Sequence, residues 1–96
     1  MRISKVQKQI ILILAASFVS GIRSVDTISL RLAVERKEGA NLDRANFRKS
    51  YLKLMDNELI QRRECRKEVY LNITPAGFDM ALEMKGQGNE RKAKKV

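Results

Sequence analysis

The sequence contains no histidine and a single cysteine, Cys65, among its 96 residues. A chain of this composition cannot form an internal disulfide, a Cys/His zinc site or a histidine-based catalytic arrangement. Its acidic residues show no spacing typical of a paired acid/base site, and it has no glycine-rich phosphate loop. We therefore expect a protein that is not an enzyme and that holds no metal and no cofactor.

Long apolar runs are also absent. The longest, residues 10–16, is far below the ~20 residues that span a bilayer. Basic residues precede it in MRISKVQKQIILILAASFVSG, as in a secretory signal, so a cleaved segment, or a helix lying on a membrane surface, is an alternative to a buried helix. The short length favours a buried helix, no membrane partner and a cytoplasmic location, nucleoid-associated in a bacterial or archaeal cell.

Positive charge is abundant in the sequence, and it is segregated. The net charge is +9, from 20 Lys and Arg against 11 Asp and Glu. Residues 44–67 contain eight basic and three acidic residues, which gives +5, whereas residues 68–84 contain three acidic residues and no basic one, which gives −3. A basic block between neutral or acidic segments is the footprint of a surface that binds a polyanion.

Capping signals predict where the first helix lies. Ser4 and Gln7 have the form of a capping box, which predicts a helix over residues 5–20 that ends at Gly21. Residues 22–25 predict a short extended segment. A second helix follows, with Asp26 or Thr27 as its cap and Gly39 as its stop signal.

A third helix, residues 44–56, has a basic outer side. Asp43 is its N-cap signal, and its apolar residues recur at the spacing of one buried face: Phe47, Tyr51, Leu54 and Met55. Any amphipathic helix has a polar outer face. The outer face of this helix also carries hydrogen-bond donors and acceptors that can contact base edges, and positive charges that can contact phosphates. Its candidate DNA-binding residues are Arg44, Ala45, Asn46, Arg48, Lys49, Ser50 and Lys53.

Beyond the third helix the pattern alternates at every second residue. Asn57 can adopt the left-handed turn that ends a helix, and the stretches LIQRRE and EVYLNIT then predict a hairpin within residues 60–73. The hairpin adds the candidate DNA-binding residues Arg62, Arg63, Arg66 and Lys67. Cys65 lies beside two cations that favour the thiolate, which makes it a candidate redox site; an incidental small residue at a hairpin tip is the alternative.

The last helix begins at Thr74 and Pro75, with Phe78, Ala81 and Leu82 predicted to face inward. Residues 85–96 show no periodicity and hold five basic residues against one acid. We therefore expect one domain over residues 1–84 and a disordered basic tail over residues 85–96.

Helix 1 carries five consecutive apolar residues, which cover more than one turn, so no single core-facing stripe can hide them all. We expect this helix to be buried on two sides, with a second subunit on one of them and the adaptable methionines of helix 4 assisting. The expected homodimer interface consists of Ile10, Ile11, Leu12, Ile13, Leu14, Met80 and Met84. Three aromatic residues, Phe18, Phe47 and Phe78, are expected in the core, which argues against stacking on RNA bases.

The predicted order, helix, short strand, helix, helix, strand, strand, helix, resembles the winged helix-turn-helix domain. The run LKLMDNELIQRR leading into the hairpin and the run VYLNITPAGFDMAL leaving it are similar to those of MarR- and PadR-type regulators, and the match is most specific over residues 41–79. Glu58 stands where those regulators usually have glycine, and the connection ERKEGANLD between helices 2 and 3 is longer than their usual tight turn. The resemblance implies a mainly α fold with a small β-hairpin wing.

For function, the resemblance implies double-stranded DNA as the partner, with helix 3 in the major groove and the wing on the backbone or in the minor groove. A homodimeric, sequence-specific transcriptional regulator, a repressor or autoregulator, is the leading expectation. The alternative is an architectural or protein-interaction module of a plasmid or viral replication or partition complex that binds DNA nonspecifically.

Overall fold

A computed structural model describes the backbone of residues 3–94 and the side chains of residues 3–85. Its elements, in chain order, are α1 (Lys5–Val19), β1 (Val25–Asp26), α2 (Thr27–Glu38), α3 (Arg44–Asp56), β2 (Ile60–Cys65), β3 (Glu68–Ile73) and α4 (Pro75–Lys94). This order confirms the predicted mainly α fold with a small hairpin. The sequence predicts a disordered basic tail over residues 85–96, but α4 continues to Lys94, so the backbone of residues 85–94 is helical. The domain boundary at residue 84 stays a prediction, and the side chains beyond Lys85 lie outside the described residues.

Side-chain caps begin the first three helices where the sequence predicts them. The Ser4 hydroxyl accepts the N–H of Gln7 at 3.2 Å, and the Gln7 side-chain oxygen accepts the N–H of Ser4 at 2.9 Å. The Asp26 carboxylate accepts the N–H of Ser29 at 2.9 Å, and this bond holds the pKa of Asp26 below its usual value. Asp43 caps α3 in the same way. Local sequence therefore sets these three starts.

Two glycines end α1 and α2 as predicted, Gly21 with a φ of 94° and Gly39 with a φ of 68°. Both values lie in the left-handed region, where glycine has no side chain to clash. The extended segment between these helices lies later than predicted, because β1 is Val25–Asp26 and Ile22 is exposed. Pairing with β3 decides the position of this strand, since only Val25 and Asp26 have partners there.

The end of α3 differs from the prediction by one residue. Asn57 has a φ of −92°, and the left-handed residue is Glu58, with a φ of 60°. The N–H of Leu59 donates to the carbonyl of Leu54 at 3.0 Å, and the N–H of Glu58 donates to the carbonyl of Met55 at 2.9 Å. These two bonds form a Schellman motif, which places its left-handed residue directly after the C-cap.

The strands form one antiparallel sheet in the order β1-β3-β2. Cys65 pairs with Glu68, so only Arg66 and Lys67 connect β2 to β3. These two residues have φ values of 51° and 68°. Positive φ at both central positions is typical of a type I′ turn, whose twist matches that of the flanking strands. We call β2, this turn and β3 the wing, residues 60–73.

Helix α1 is the centre of the core, where it contacts α2, α3, α4 and β3. Two side chains predicted to face inward do not. Phe18, in the last turn of α1, is 47% exposed, and its ring packs edge-to-face on Phe78 with centroids 5.6 Å apart. Leu82 is exposed while Ala81 beside it is buried, because consecutive helical residues point about 100° apart. The core consists of Ile10, Ile11, Leu14, Ala15, Leu30, Val34, Phe47, Tyr51, Leu54, Leu59, Ile60, Leu71 and Ala81.

Helix α4 begins at a close junction with the start of the wing. The Thr74 hydroxyl accepts the N–H of Gly77 at 3.1 Å and donates to the carbonyl of Glu58 at 2.7 Å. Gly77 packs so closely on Leu59 that a Cβ atom at residue 77 would overlap the Leu59 carbonyl oxygen. The sequence Thr-Pro-Ala-Gly thus caps α4 and also fixes it against the end of α3.

Candidate nucleic-acid interface

Helix α3 has one buried face and one exposed face. Phe47, Tyr51 and Leu54 are buried, and the rings of Phe47 and Tyr51 meet edge-to-face at 5.6 Å. The exposed residues carry four positive charges and one negative charge, a net +3, and they are Arg44, Ala45, Asn46, Arg48, Lys49, Leu52, Lys53 and Asp56. The exposed face is therefore the polar, basic side that the sequence predicts for contact with a polyanion.

The exposure of two residues of α3 differs from what the sequence predicts. Ser50 is half-buried, and its hydroxyl donates to the carbonyl of Asn46 at 3.0 Å, so it lies at the edge of the exposed face. Leu52, which the sequence analysis overlooked, is 37% exposed. It follows Lys49 by three residues and Ala45 by seven, and that helical spacing alone would have placed it on the exposed face. Apart from the small Ala45, the predicted set contains only polar and charged residues, and Leu52 is therefore missing from it.

The connection from α2 to α3 is held at its far end by a carboxylate. Glu35 accepts the N–H of Leu42 at 2.7 Å, and its other oxygen lies 3.4 Å from the guanidinium of Arg31. Leu42 packs against the core directly before the cap of α3. The connection is longer than a tight turn, yet the position at which α3 starts is fixed by these contacts.

The wing divides its arginines between two faces. Residues directly opposite each other in an antiparallel pair lie on the same face, and Arg62 is opposite the buried Leu71 whereas Arg63 is opposite Tyr70. Arg62 therefore emerges at the rim of the core-facing side, where its guanidinium lies 3.4 Å from the carboxylate of Glu64. Arg63 lies on the outer side. Arg62 and Arg63, which the sequence predicts together as DNA-binding residues of the wing, therefore leave the sheet on opposite sides.

The tip of the wing presents two cations together. Arg66 and Lys67 are exposed in the turn, and within the described side chains neither forms a salt bridge. Cys65 precedes them as an exposed free thiol, and its redox role stays a prediction. On β3, Tyr70 donates its hydroxyl to the Glu68 carboxylate at 2.9 Å, which raises the pKa of Tyr70. The wing carries four basic and two acidic residues, a net +2, and the turn is its most positive part.

The apolar residues assigned to a dimer interface fall into two groups. Ile10, Ile11 and Leu14 are at most 2% exposed inside this chain, so they are occupied by its own core and have no surface for a partner. The other members, Leu12, Ile13, Met80 and Met84, are half-buried at the edge of the core. The predicted dimer interface is therefore reduced to these four half-buried residues, and contact between them and a second copy stays a prediction.

Within the described residues, no group of three or more metal-ligand side chains comes together. In that same part of the chain, no helix combines the length and the apolar character needed to cross a membrane.

Comparison with known proteins supports the fold. No protein-family model and no curated protein matches the sequence. Among solved structures, RosR of H. salinarum superposes on 93% of this chain and 76% of its own with a TM-score of 0.80 and 16% identity. F93 from STIV, a winged-helix DNA-binding protein, superposes on 88% of this chain and 89% of its own with a TM-score of 0.67 and 15% identity.

A MarR-family transcriptional regulator from Silicibacter pomeroyi has a TM-score of 0.68 at 15% identity, over 94% of this chain and 57% of its own length. At such low identity these similarities show the fold and nothing further. The chain has the winged helix-turn-helix fold, as the resemblance implied.

Proposed function

We propose that this protein is a sequence-specific double-stranded DNA-binding transcriptional regulator, with α3 in the major groove and the wing turn on the neighbouring backbone or minor groove. The observation that carries the proposal is the exposed face of α3, where Arg44, Arg48, Lys49 and Lys53 all reach solvent on a helix that the fold holds by its opposite face. RosR and the MarR-family regulator share this fold, and F93 from STIV is described as a DNA-binding protein.

The exposed side chains suit two kinds of contact. Asn46 and Lys49 lie on the exposed face of α3, and their hydrogen-bonding groups match adenine and guanine respectively. Arg66 and Lys67 are exposed and form no salt bridge within the described side chains, so their positive charges can contact DNA phosphates. We infer that α3 provides the sequence preference and the wing provides affinity that is independent of sequence.

A homodimer is the second part of the proposal. Helix α4 runs antiparallel to α1, because Phe78 meets Phe18 near its start while Lys85 lies beside Leu12 and Ile13. The half-buried Leu12, Ile13, Met80 and Met84 leave apolar surface that a second copy can cover. Such a dimer places two recognition helices ~34 Å apart, and its twofold symmetry predicts an inverted-repeat site. We propose that the dimer acts as a repressor or autoregulator.

The experiment that tests this function is the selection of bound sites from random duplex DNA, followed by competition against unselected duplex. A regulator yields a conserved inverted repeat and binds it at least ~1000-fold more tightly than random DNA. The logarithm of affinity should fall against the logarithm of salt concentration with a slope near −5 if about six phosphates are contacted. Equal binding to all duplexes would favour the architectural module, and a slope near zero would exclude DNA as the partner.

Single substitutions separate the two kinds of contact. Lys49→Ala should weaken binding to the selected site more than to random DNA, by ~1 to 3 kcal/mol, because a base contact is lost. Lys67→Ala should weaken both alike and make the salt slope shallower by about 1. Lys8→Ala, which removes an exposed lysine of α1, is the charge-matched control. Identical losses for Lys49→Ala on both DNAs would contradict base reading by α3.

Two neighbouring substitutions test the dimer. Leu12→Asp places a charge on half-buried surface and should give a folded monomer, whereas Leu14→Asp buries that charge in the core and should unfold the protein. Sedimentation and circular dichroism distinguish the two outcomes. A wild-type protein that sediments as a folded monomer at micromolar concentration would contradict the dimer without affecting the proposal for α3.

A further inference from the structure

The exposed face of α3 contains one large apolar side chain. Leu52 is 37% exposed, whereas Leu54, two residues later, is fully buried. At about 100° per residue, Leu52 lies on the same side of the helix as Ala45, Lys49 and Asp56 and roughly opposite Leu54. Leu52 therefore lies at the middle of the surface that the proposed function directs into the major groove.

An exposed leucine alone indicates little, because much of every protein surface is apolar, and α2 and α4 carry exposed leucines of their own. The distinguishing property of Leu52 is its surroundings. Its neighbours along the exposed face, Arg48, Lys49 and Asp56, are charged, and the core lies behind the helix, on the other side. Leu52 is not a member of the buried core cluster, and its exposed 37% offers apolar surface that a ligand can reach.

The chemistry of the major groove limits what a leucine there can recognise. The edges of guanine, cytosine and adenine present mainly hydrogen-bonding groups, and the only methyl group in the groove is the 5-methyl group of thymine. A leucine placed against any other edge removes water from donors and acceptors without replacing their hydrogen bonds, which is unfavourable. Contact with the thymine methyl group carries no such cost and buries apolar surface on both sides.

We propose that Leu52 is a specificity-determining residue that selects thymine by contact with its 5-methyl group; this inference rests on the proposed entry of α3 into the major groove. Leu52 and Lys49 are three residues apart, and side chains at this spacing lie about 5–6 Å from each other. Base pairs rise about 3.4 Å each, so the selected thymine lies one or two base pairs from the base that Lys49 contacts. Because lysine donates to guanine, the preferred site contains a guanine within two base pairs of that thymine in each half-site.

The test removes the methyl group and nothing else. In the site selected by the full-length wild-type protein, each thymine is replaced in turn by deoxyuridine, which pairs identically but lacks the 5-methyl group. Wild-type protein should bind about fourfold more weakly at one position in each half-site, the change that the loss of one buried methyl-sized group produces. Leu52→Ala should bind the thymine and uracil versions of that site equally.

Two further variants serve as controls for the loss of the thymine preference. Leu52→Gln keeps the length of the side chain but removes its apolar end, and it should also lose the thymine preference; circular dichroism checks that both variants at this exposed position are folded. Leu32→Ala removes an exposed leucine of α2 and should keep the wild-type response to uracil.

The outcomes separate this proposal from the proposed function. If wild-type protein selects a defined site but no uracil substitution weakens binding, or if Leu52→Ala responds to uracil as the wild type does, the role of Leu52 is wrong while sequence-specific binding by α3 stands. If the wild-type protein selects no site at all, the proposed regulator function fails, and the role of Leu52 fails with it.

Discussion

Replacing Glu58 with glycine should stabilise the protein. Glu58 has a φ of 60° in the Schellman motif that ends α3, a conformation in which any L residue with a Cβ atom is strained. Its side chain is exposed, and within the described residues its carboxylate forms no hydrogen bond or salt bridge. The backbone carbonyl of residue 58, which accepts the Thr74 hydroxyl, is present in glycine as well.

The magnitude follows from two opposing terms. The left-handed conformation costs a residue with a Cβ atom ~1 to 2 kcal/mol relative to the right-handed one. Glycine gains extra freedom in the unfolded chain, which takes back ~0.5 to 1 kcal/mol. The difference between the two terms is ~0 to 1.5 kcal/mol, so the free energy of unfolding should rise by about 0.75 kcal/mol, equivalent to a melting temperature higher by ~3 to 6 °C for a domain of this size.

The assay is urea and thermal unfolding of wild type, Glu58→Gly and Glu58→Ala at one fixed protein concentration, because self-association would make stability depend on concentration. Glu58→Ala removes the negative charge near the basic surface but keeps the Cβ atom, so the difference between the two variants isolates the backbone strain. Glu58→Gly should be the more stable of the two. Equal stability of the variants would refute the assignment of strain to this residue.

Three further predictions follow from the same region and from the wing. Gly77→Ala should destabilise the protein by ~1 to 3 kcal/mol in urea unfolding, because the new methyl group overlaps the Leu59 carbonyl; a neutral result would contradict the close packing of α4. Thr74→Val should cost ~1 to 3 kcal/mol, because two hydrogen bonds are lost, whereas Thr74→Ser should keep both and cost less. Replacing Arg66 and Lys67 together by Asn-Gly should raise stability, because these residues adopt the positive φ values of the turn with less strain. The same change removes two positive charges and should weaken binding to selected and random DNA alike, as measured by gel-shift titration at two salt concentrations.

The helices were predictable because their signals are local. Ser4, Asp26 and Asp43 each satisfy N–H groups a few residues away, so their effect does not depend on the rest of the fold. The hairpin was also predictable, since the alternation continues on both sides of its tip. The sequence predicts Cys65, Arg66 and Lys67 as the tip, but Cys65 pairs with Glu68 and the turn has only two residues. The split between Arg62 and Arg63 follows from the same alternation, but the side of each arginine depends on the register with β3, which the sequence does not state.

The predictions for the end of α3 and for Phe18 were wrong because both positions depend on contacts between segments that are distant in the sequence. Asn57 tolerates the left-handed conformation better than Glu58 does, so local preference favours residue 57. The structure places that conformation at residue 58 because Leu59 must reach both Leu54 and the first turn of α4. Phe18 has the period of a core residue, yet it lies in the last turn of α1, where the core has largely ended. Periodicity identifies a face of a helix but not how far along it the neighbouring elements reach.

The same limit explains why helix 1 suggested a larger dimer interface than the structure leaves free. Five consecutive apolar residues cannot all face one neighbour, so the sequence predicts a second subunit in contact with those that do not face the core. In the structure α1 is surrounded by four other elements, so Ile10 and Ile11, which point about 100° apart, are both fully buried within the chain. Only Leu12 and Ile13 of the five remain partly uncovered. The expected contact with a second copy therefore rests on these two residues and on the methionines of α4, not on the length of the apolar run.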